Sequence, residues 1–236
     1  MKAVCLSLGF LCLVSVSLFV CGPREKNPPQ ESAVHGGAVL KDLPTDIRPD
    51  ARYLFYLHGA IIEEEELRPE HPTFGFYEYE AILDSLAAHR LVVISEARKP
   101  GTNVSTYAEK VTGQIERLLE TGVPPEHISV VGHSKGGAIA IMTSSSLKND
   151  KVNFAFMACC SHRLLQNPEV DLRGRILSIY EASDEWFGSC QKAFDQASHP
   201  LVTHEIEIHT GEGHGAFYRP IPEWVNPVVE WVKIGE

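Results

Sequence analysis

The sequence has no basic surplus. Its 236 residues carry 21 lysines and arginines against 31 aspartates and glutamates, a net charge of −10. Nucleic-acid binders normally leave a basic footprint, so the balance argues against a nucleic-acid partner. No two cysteines are spaced C-x-x-C, so no zinc site is signalled. Nothing marks an organic cofactor or a metal. There is no internal repeat, so the fold is not a stacked array. Charge is missing altogether between Lys2 and Arg24. With hydrophobic residues at 44% and charged residues at 22%, the remainder is ordinary for one globular domain with a substantial core.

The uncharged stretch Ala3–Val20 behind Met1-Lys2 has the form of a secretory signal. A retained membrane anchor is the rival, since 18 residues is the lower edge of a spanning length. Leu18-Phe19-Val20-Cys21 is similar to a bacterial lipobox, whose cysteine is lipidated and becomes the new N-terminus. Lipoboxes prefer Gly, Ala or Ser where Val20 stands, and Ser15-Val16-Ser17 offers an ordinary cleavage site instead. The expectation is an exported protein, periplasmic or tethered to a membrane through Cys21. With Cys5 and Cys12 inside the leader and Cys21 lipidated, Cys159, Cys160 and Cys190 remain. One disulfide from Cys159 or Cys160 to Cys190 suits an oxidising compartment, and three buried thiols are the alternative. The organisation expected is a leader over 1–20, a Pro- and Gly-rich arm over 21–50 and one domain over 51–236. Within the arm, Ala38-Val39-Leu40 has the makings of a short edge strand.

The domain alternates buried strands with amphipathic helices. Arg52–Leu57, Leu91–Ile94, Ile128–Val131, Val152–Met157, Arg175–Tyr180 and Thr203–Ile208 are strand runs, and the more continuous of them suit burial on both faces. Tyr79, Ile82, Leu83, Leu86 and Ala87 share one helix face, as do Tyr107, Val111, Ile115, Leu118 and Leu119. Asn226-Pro227 reads as the N-cap and first residue of a closing helix. The class is therefore α/β with a mostly parallel sheet, and ligands in such sheets bind beyond the carboxyl ends of the strands.

The chain is organised around Gly132-His133-Ser134-Lys135-Gly136, between the strand run Ile128–Val131 and the helix-compatible Ala138–Met142. This is the pattern of a nucleophile elbow, in which a sharp strand-to-helix turn lifts a serine hydroxyl above the sheet. A tight turn whose serine merely caps the helix is the bland reading. A serine nucleophile needs a base and the base an orienting acid, in the order Ser…Asp…His for this fold. Asp184 follows a strand end; Glu181 and Glu185 are rivals nearby, Asp171 and Asp195 are not far off in sequence, and an N-cap role is its bland reading. His214 lies in Gly211-Glu212-Gly213-His214-Gly215 after the last strand, with His204 and His209 as rivals. Oxyanion donors are expected from the backbone N–H groups of Lys135 and Ala60, the latter in His58-Gly59-Ala60 after the first buried strand. His58 is expected to pack and hold that turn. The Lys135 side chain is expected in solvent or over the cleft rim. The run Glu63–Glu66 is expected to be solvated, or an acidic rim over the cleft.

These pieces resemble the α/β-hydrolase superfamily from Tyr53 to about Val232, and most of all its small, cap-poor members grouped with dienelactone hydrolases and esterases. The resemblance implies Ser134 as nucleophile, His214 as general base and then acid, and Asp184 as orienting carboxylate. It implies a small-molecule ester or related acyl substrate. Many relatives insert a cap domain after the sixth strand. Here only about a dozen and a half residues lie between Met157 and Arg175, so no large cap is expected. Ile61–Tyr79 is the one candidate lid. An open site favouring small or exposed esters follows. A catalytically silent binding protein and an acyltransferase are the alternatives on the same scaffold.

Overall fold

The computed structural model describes residues 37–64 and 66–234. The stretch 1–20 expected as a leader, Cys21 and the expected arm as far as residue 36 lie outside the described residues. The main sheet contains β1 (Ala38–Leu40), β2 (Tyr53–Leu57), β5 (Val92–Ile94), β6 (Ile128–His133), β7 (Asn153–Met157), β8 (Arg175–Glu181) and β9 (Val202–Ile208). Their order is β1-β5-β2-β6-β7-β8-β9, and every neighbouring pair is parallel. Two further strands, β3 (Glu70–His71) and β4 (Gly75–Phe76), form a separate antiparallel hairpin. The sheet thus begins at Ala38, inside the stretch that composition marks as an arm.

Alternation along each strand sorts side chains to the two faces. From β2, Leu54 and Tyr56 join one core with α1 (Tyr79–Ala87) and α6 (Pro222–Lys233). Tyr53, Phe55 and Leu57 join the other, with α2 (Val104–Glu120) and α3 (Lys135–Leu147). Every residue of β2, β6 and β7 is buried, which is why their runs read as continuous apolarity. All five apolar positions expected on α1 are buried. On α2, Val111, Ile115 and Leu118 are buried, while Tyr107 and Leu119 pack at the margin.

The closing helix starts earlier than Asn226-Pro227 suggests. Pro222 is at its first position and Pro227 lies inside it. The apolar face formed by Trp224, Val225, Val228, Val229, Trp231 and Val232 runs straight through Pro227, and its burial outweighs the missing hydrogen bond. Between β7 and β8 there is only α4 (His162–Leu165), so the crossover carries no cap. Beyond β8, α5 (Gln191–Asp195) begins beside Cys190. Cys190 is disulfide-bonded to Cys160 with a Cα–Cα separation of 5.3 Å, and Cys159 stays a buried free thiol. An isolated antiparallel bridge between Cys160 and Gly188 brings the two segments alongside, whereas the Cys159 side chain lies against Gly137 of α3. Among the described residues, no helix is long and apolar enough to cross a membrane.

Candidate active site

Ser134 stands between β6 and α3 with φ 54° and ψ −119°. Positive φ is rare for a residue with a side chain and persists only where the surroundings enforce it. Those surroundings are close-packed backbone. A Cβ on Gly132 would lie 2.3 Å from the Gly136 carbonyl oxygen, and one on Gly136 only 1.8 Å from that of Leu57. The serine N–H donates to the Met157 carbonyl (2.9 Å), and its own carbonyl accepts from Ala138 N (3.0 Å). The elbow is therefore tied to the neighbouring strand and to the helix it starts, and the Ser134 side chain is left half-buried.

Two loops at the carboxyl ends of β8 and β9 bring Asp184 and His214 together. Asp184 Oδ2 lies 2.8 Å from His214 Nδ1, with the two side chains 1% and 4% exposed. A carboxylate only accepts, so Nδ1 carries the proton and Nε2 is left with the lone pair a base needs. Asp184 Oδ1 accepts from the backbone of Trp186 (2.9 Å) and Phe187 (3.3 Å), so the capping role also exists, on the other oxygen. The rivals point elsewhere. Glu181 accepts from Ser183 N (2.6 Å), Ser183 Oγ (2.5 Å), Thr210 N (2.9 Å) and Gly211 N (2.9 Å). Burial raises the Glu181 carboxyl, but these bonds outweigh it and hold the group below its ordinary value. Glu181 thus joins the loop carrying Asp184 to the loop carrying His214. His204 lies against Trp231, and His209 is exposed beside Glu207.

The imidazole is enclosed by rings. Its centroid is 4.7 Å from His133, 5.0 Å from Trp186, 5.2 Å from Phe187 and 6.1 Å from Phe74. Phe74 sits between the strands of the β3–β4 hairpin, stacked on His71 and edge-on to Trp186. The candidate lid segment is therefore folded over the histidine loop, and the imidazole is more covered than the short crossover suggests. Burial, with His214 the next influence, pushes His133 well below its ordinary value. A neutral His133 places no positive charge beside the His214 ring.

The loop after β2 carries Ala60, the first residue of a 3-10 turn (Ala60–Glu64), while Lys135 is the first residue of α3. Both N–H groups thus occupy helix starts, where no intrahelical acceptor exists. The loop is fastened from below. His58 is fully buried; its Nδ1 donates to the Gly59 carbonyl (2.7 Å) and its Nε2 accepts from Arg98 N (2.9 Å). Burial, then the Arg98 charge, lowers His58 to about 3, so it stays neutral and structural. The Gly59 N–H donates to the Tyr77 hydroxyl (3.3 Å), which also pairs with Tyr56 (2.8 Å).

The Lys135 side chain is not in solvent. Its Nζ lies 2.5 Å from Glu63 Oε2, and Arg98 Nε lies 3.0 Å from Glu63 Oε1. Glu63, the first of the four glutamates, is only 5% exposed. Sequence reading missed this cluster because a charge run carries no mark of which member turns inward. It missed Arg98 as well, a lone arginine just past β5. Asp184, His214, Phe74 and Trp186 border a cleft of about 840 Å³ together with Glu185 and Arg219. Among the described residues, one group of His, Cys, Asp or Glu donors is close enough to share a metal ion: Cys159, Cys160 and Cys190. Two of those sulfurs are bonded to each other, which leaves one thiol to donate.

A parallel sheet of this order, with a strained serine between a central strand and a helix, is the α/β-hydrolase fold. A family model described as Lipase (class 3) matches residues 71–161, the part that contains the elbow. Solved structures share the fold at low identity. An esterase/lipase from an uncultured bacterium is 11% identical with a TM-score of 0.54, over 78% of this chain and 75% of that one. EstE5, in a crystal soaked with ethyl alcohol, is 12% identical with a TM-score of 0.55, over 77% and 75%. An arylesterase is 12% identical with a TM-score of 0.53, over 78% and 77%. No curated protein matches the chain.

Proposed function

We propose that the protein is a serine hydrolase of carboxylic esters or related acyl bonds, working through an acyl-enzyme on Ser134. The observation that carries this reading is the His214 Nδ1–Asp184 Oδ2 bond of 2.8 Å, at the same end of the sheet as a serine held at φ 54°. Ser134 Oγ attacks the substrate carbonyl as its proton passes to His214 Nε2. The N–H groups of Ala60 and Lys135 receive the developing oxyanion, each such donor being worth a few kcal/mol. Collapse expels the alcohol, which takes the proton from the imidazole. Water, activated by the same imidazole, then releases the acid and restores the serine. Asp184 orients the imidazole and stabilises its charged form.

The lipase family match supports an ester over other acyl bonds. The absence of a cap between β7 and β8 supports small esters or esters exposed at a chain end. The test is hydrolysis of p-nitrophenyl esters of increasing acyl length by the wild type and by Ser134→Ala. Turnover that depends on Ser134 and falls off for long chains is expected. Turnover independent of Ser134 contradicts the mechanism, and a preference beyond about ten carbons contradicts the open site. From the leader we also infer export with lipid attachment at Cys21. Intact-mass measurement of membrane-extracted protein tests it, and an unacylated N-terminus beyond Cys21 contradicts it.

A further inference from the structure

In the oxyanion hole proposed above, two N–H groups from different segments must be held at a fixed spacing. Here one segment is the loop 58–64 after β2 and the other is the start of α3. The start of α3 is tied by its backbone to β7, through the Ser134 N–H on the Met157 carbonyl. Glu63 supplies a side-chain link between them. It lies three residues beyond Ala60, and its carboxylate takes Lys135 Nζ on Oε2 and Arg98 Nε on Oε1. Arg98 returns to the same loop through His58, its backbone N–H on Nε2 and its guanidinium on the His58 carbonyl. Both proposed oxyanion donors are thus joined through one buried carboxylate. Lys135 belongs to the link twice, offering its N–H to the substrate and its side chain to Glu63.

We propose that Glu63, acting through the Lys135 side chain, is a positioning residue that sets the spacing of the Ala60 and Lys135 N–H groups. This rests on the reading of Ser134 as nucleophile. A merely structural pair would show itself in the melting temperature. A positioning pair shows itself in kcat, and in affinity for a ligand that carries an oxyanion.

The experiment compares wild type, Lys135→Met, Lys135→Arg and Glu63→Gln on a short p-nitrophenyl ester, with Ser134→Ala as control. It also measures inhibition by an aryl trifluoromethyl ketone. That probe adds the serine oxygen to its carbonyl carbon, passes the serine proton to His214 and leaves the former carbonyl oxygen as an anion in the hole. Lys135→Met keeps the backbone N–H and nearly the length of a side chain that is 22% exposed. Misplacement by about an ångström costs up to about 100-fold. The expected result for Lys135→Met is a kcat loss of about 10- to 100-fold, a matching loss of ketone affinity and a KM within about threefold. Lys135→Arg, which keeps the cation, should recover most of the loss. Glu63→Gln should follow Lys135→Met wherever it folds. Wild-type kcat and ketone affinity retained in folded Lys135→Met overturn the proposal. So does a Lys135→Met protein that fails to fold, or whose rate falls only in proportion to its folded fraction, because the pair is then a strut. Wild-type activity that survives Ser134→Ala would instead remove the underlying mechanism, so the two failures are distinguishable.

Discussion

Asp184 and His214 are thirty residues apart in the chain, yet Oδ2 of one lies 2.8 Å from Nδ1 of the other. They meet because β8 and β9 are parallel neighbours whose following loops emerge at the same end of the sheet. Glu181, the last residue of β8, closes that relationship by accepting from Ser183 on the acid loop and from Thr210 and Gly211 on the histidine loop. Sequence alone leaves Asp184 and Glu181 in competition. The structure gives them different partners.

Those partners predict different phenotypes. Asp184→Asn should lower kcat by about 10⁴-fold, because the amide leaves the wrong imidazole tautomer. Glu181→Gln should cost about 1–3 kcal/mol in urea unfolding, from a buried acceptor set that is no longer charged, and should affect kcat far less. Steady-state kinetics with parallel unfolding curves check both. Near-wild-type rate in Asp184→Asn would contradict the assignment.

The elbow makes a prediction about space. Gly136→Ala would push a methyl group onto the Leu57 backbone, so it should destabilise the protein by about 3 kcal/mol. Gly113, inside α2, has no atom within 4 Å of the place a Cβ would take, so Gly113→Ala should stabilise by about 0.5–1 kcal/mol. Thermal melts of the two variants should move in opposite directions.

Stability should have a flat region bounded on both sides. His58 is lowered to about 3, chiefly by burial, and His133 is also lowered by burial. Both are neutral in the fold while the unfolded chain gains protons below about 6.5. Their contribution is complete above that value and is lost as pH falls, by about 1.4 kcal/mol per pH unit for each group. Glu181, held low, adds a loss in the same direction at more acid pH. Burial raises Tyr77 to about 12, so its contribution is lost as pH rises above about 10. Urea midpoints across pH should show a plateau between these limits, and His133→Phe should lessen the acid slope. A midpoint unchanged between pH 6.5 and 5 would contradict the buried neutral histidines.

The disulfide closes a loop across a sequence separation of 30, from Cys160 to Cys190. Chain-entropy reasoning gives it about 3.6 kcal/mol. Cys160→Ser or reduction should lower the melting temperature, and Cys159→Ser, which leaves the disulfide bond in place, should not reproduce that loss in full. Equal losses in the two serine variants would point to packing around the paired thiols as the source.

Much of this was legible in the sequence because strands buried on both faces write continuous apolar runs, and because Gly132-x-Ser134-x-Gly136 needs two glycines where backbones nearly touch. The features that were not legible share a physical cause. Whether Glu63 is solvated depends on Lys135 and Arg98, which the chain places 72 and 35 residues away. The hairpin carrying Phe74 has strands of only two residues and leaves no periodicity to read. Pro227 looks like a helix start because local propensity favours it there, and only the tertiary burial of Trp224 and Val225 moves the boundary to Pro222.

The most direct measurement is the site of a covalent adduct. Wild-type protein treated with a fluorophosphonate should gain one phosphonyl group, mapped by tandem mass spectrometry to Ser134. His214→Gln should slow that labelling by orders of magnitude while leaving the fold intact. An adduct on another residue, or no adduct on folded protein that turns over esters, would contradict the assignment of Ser134 as the nucleophile.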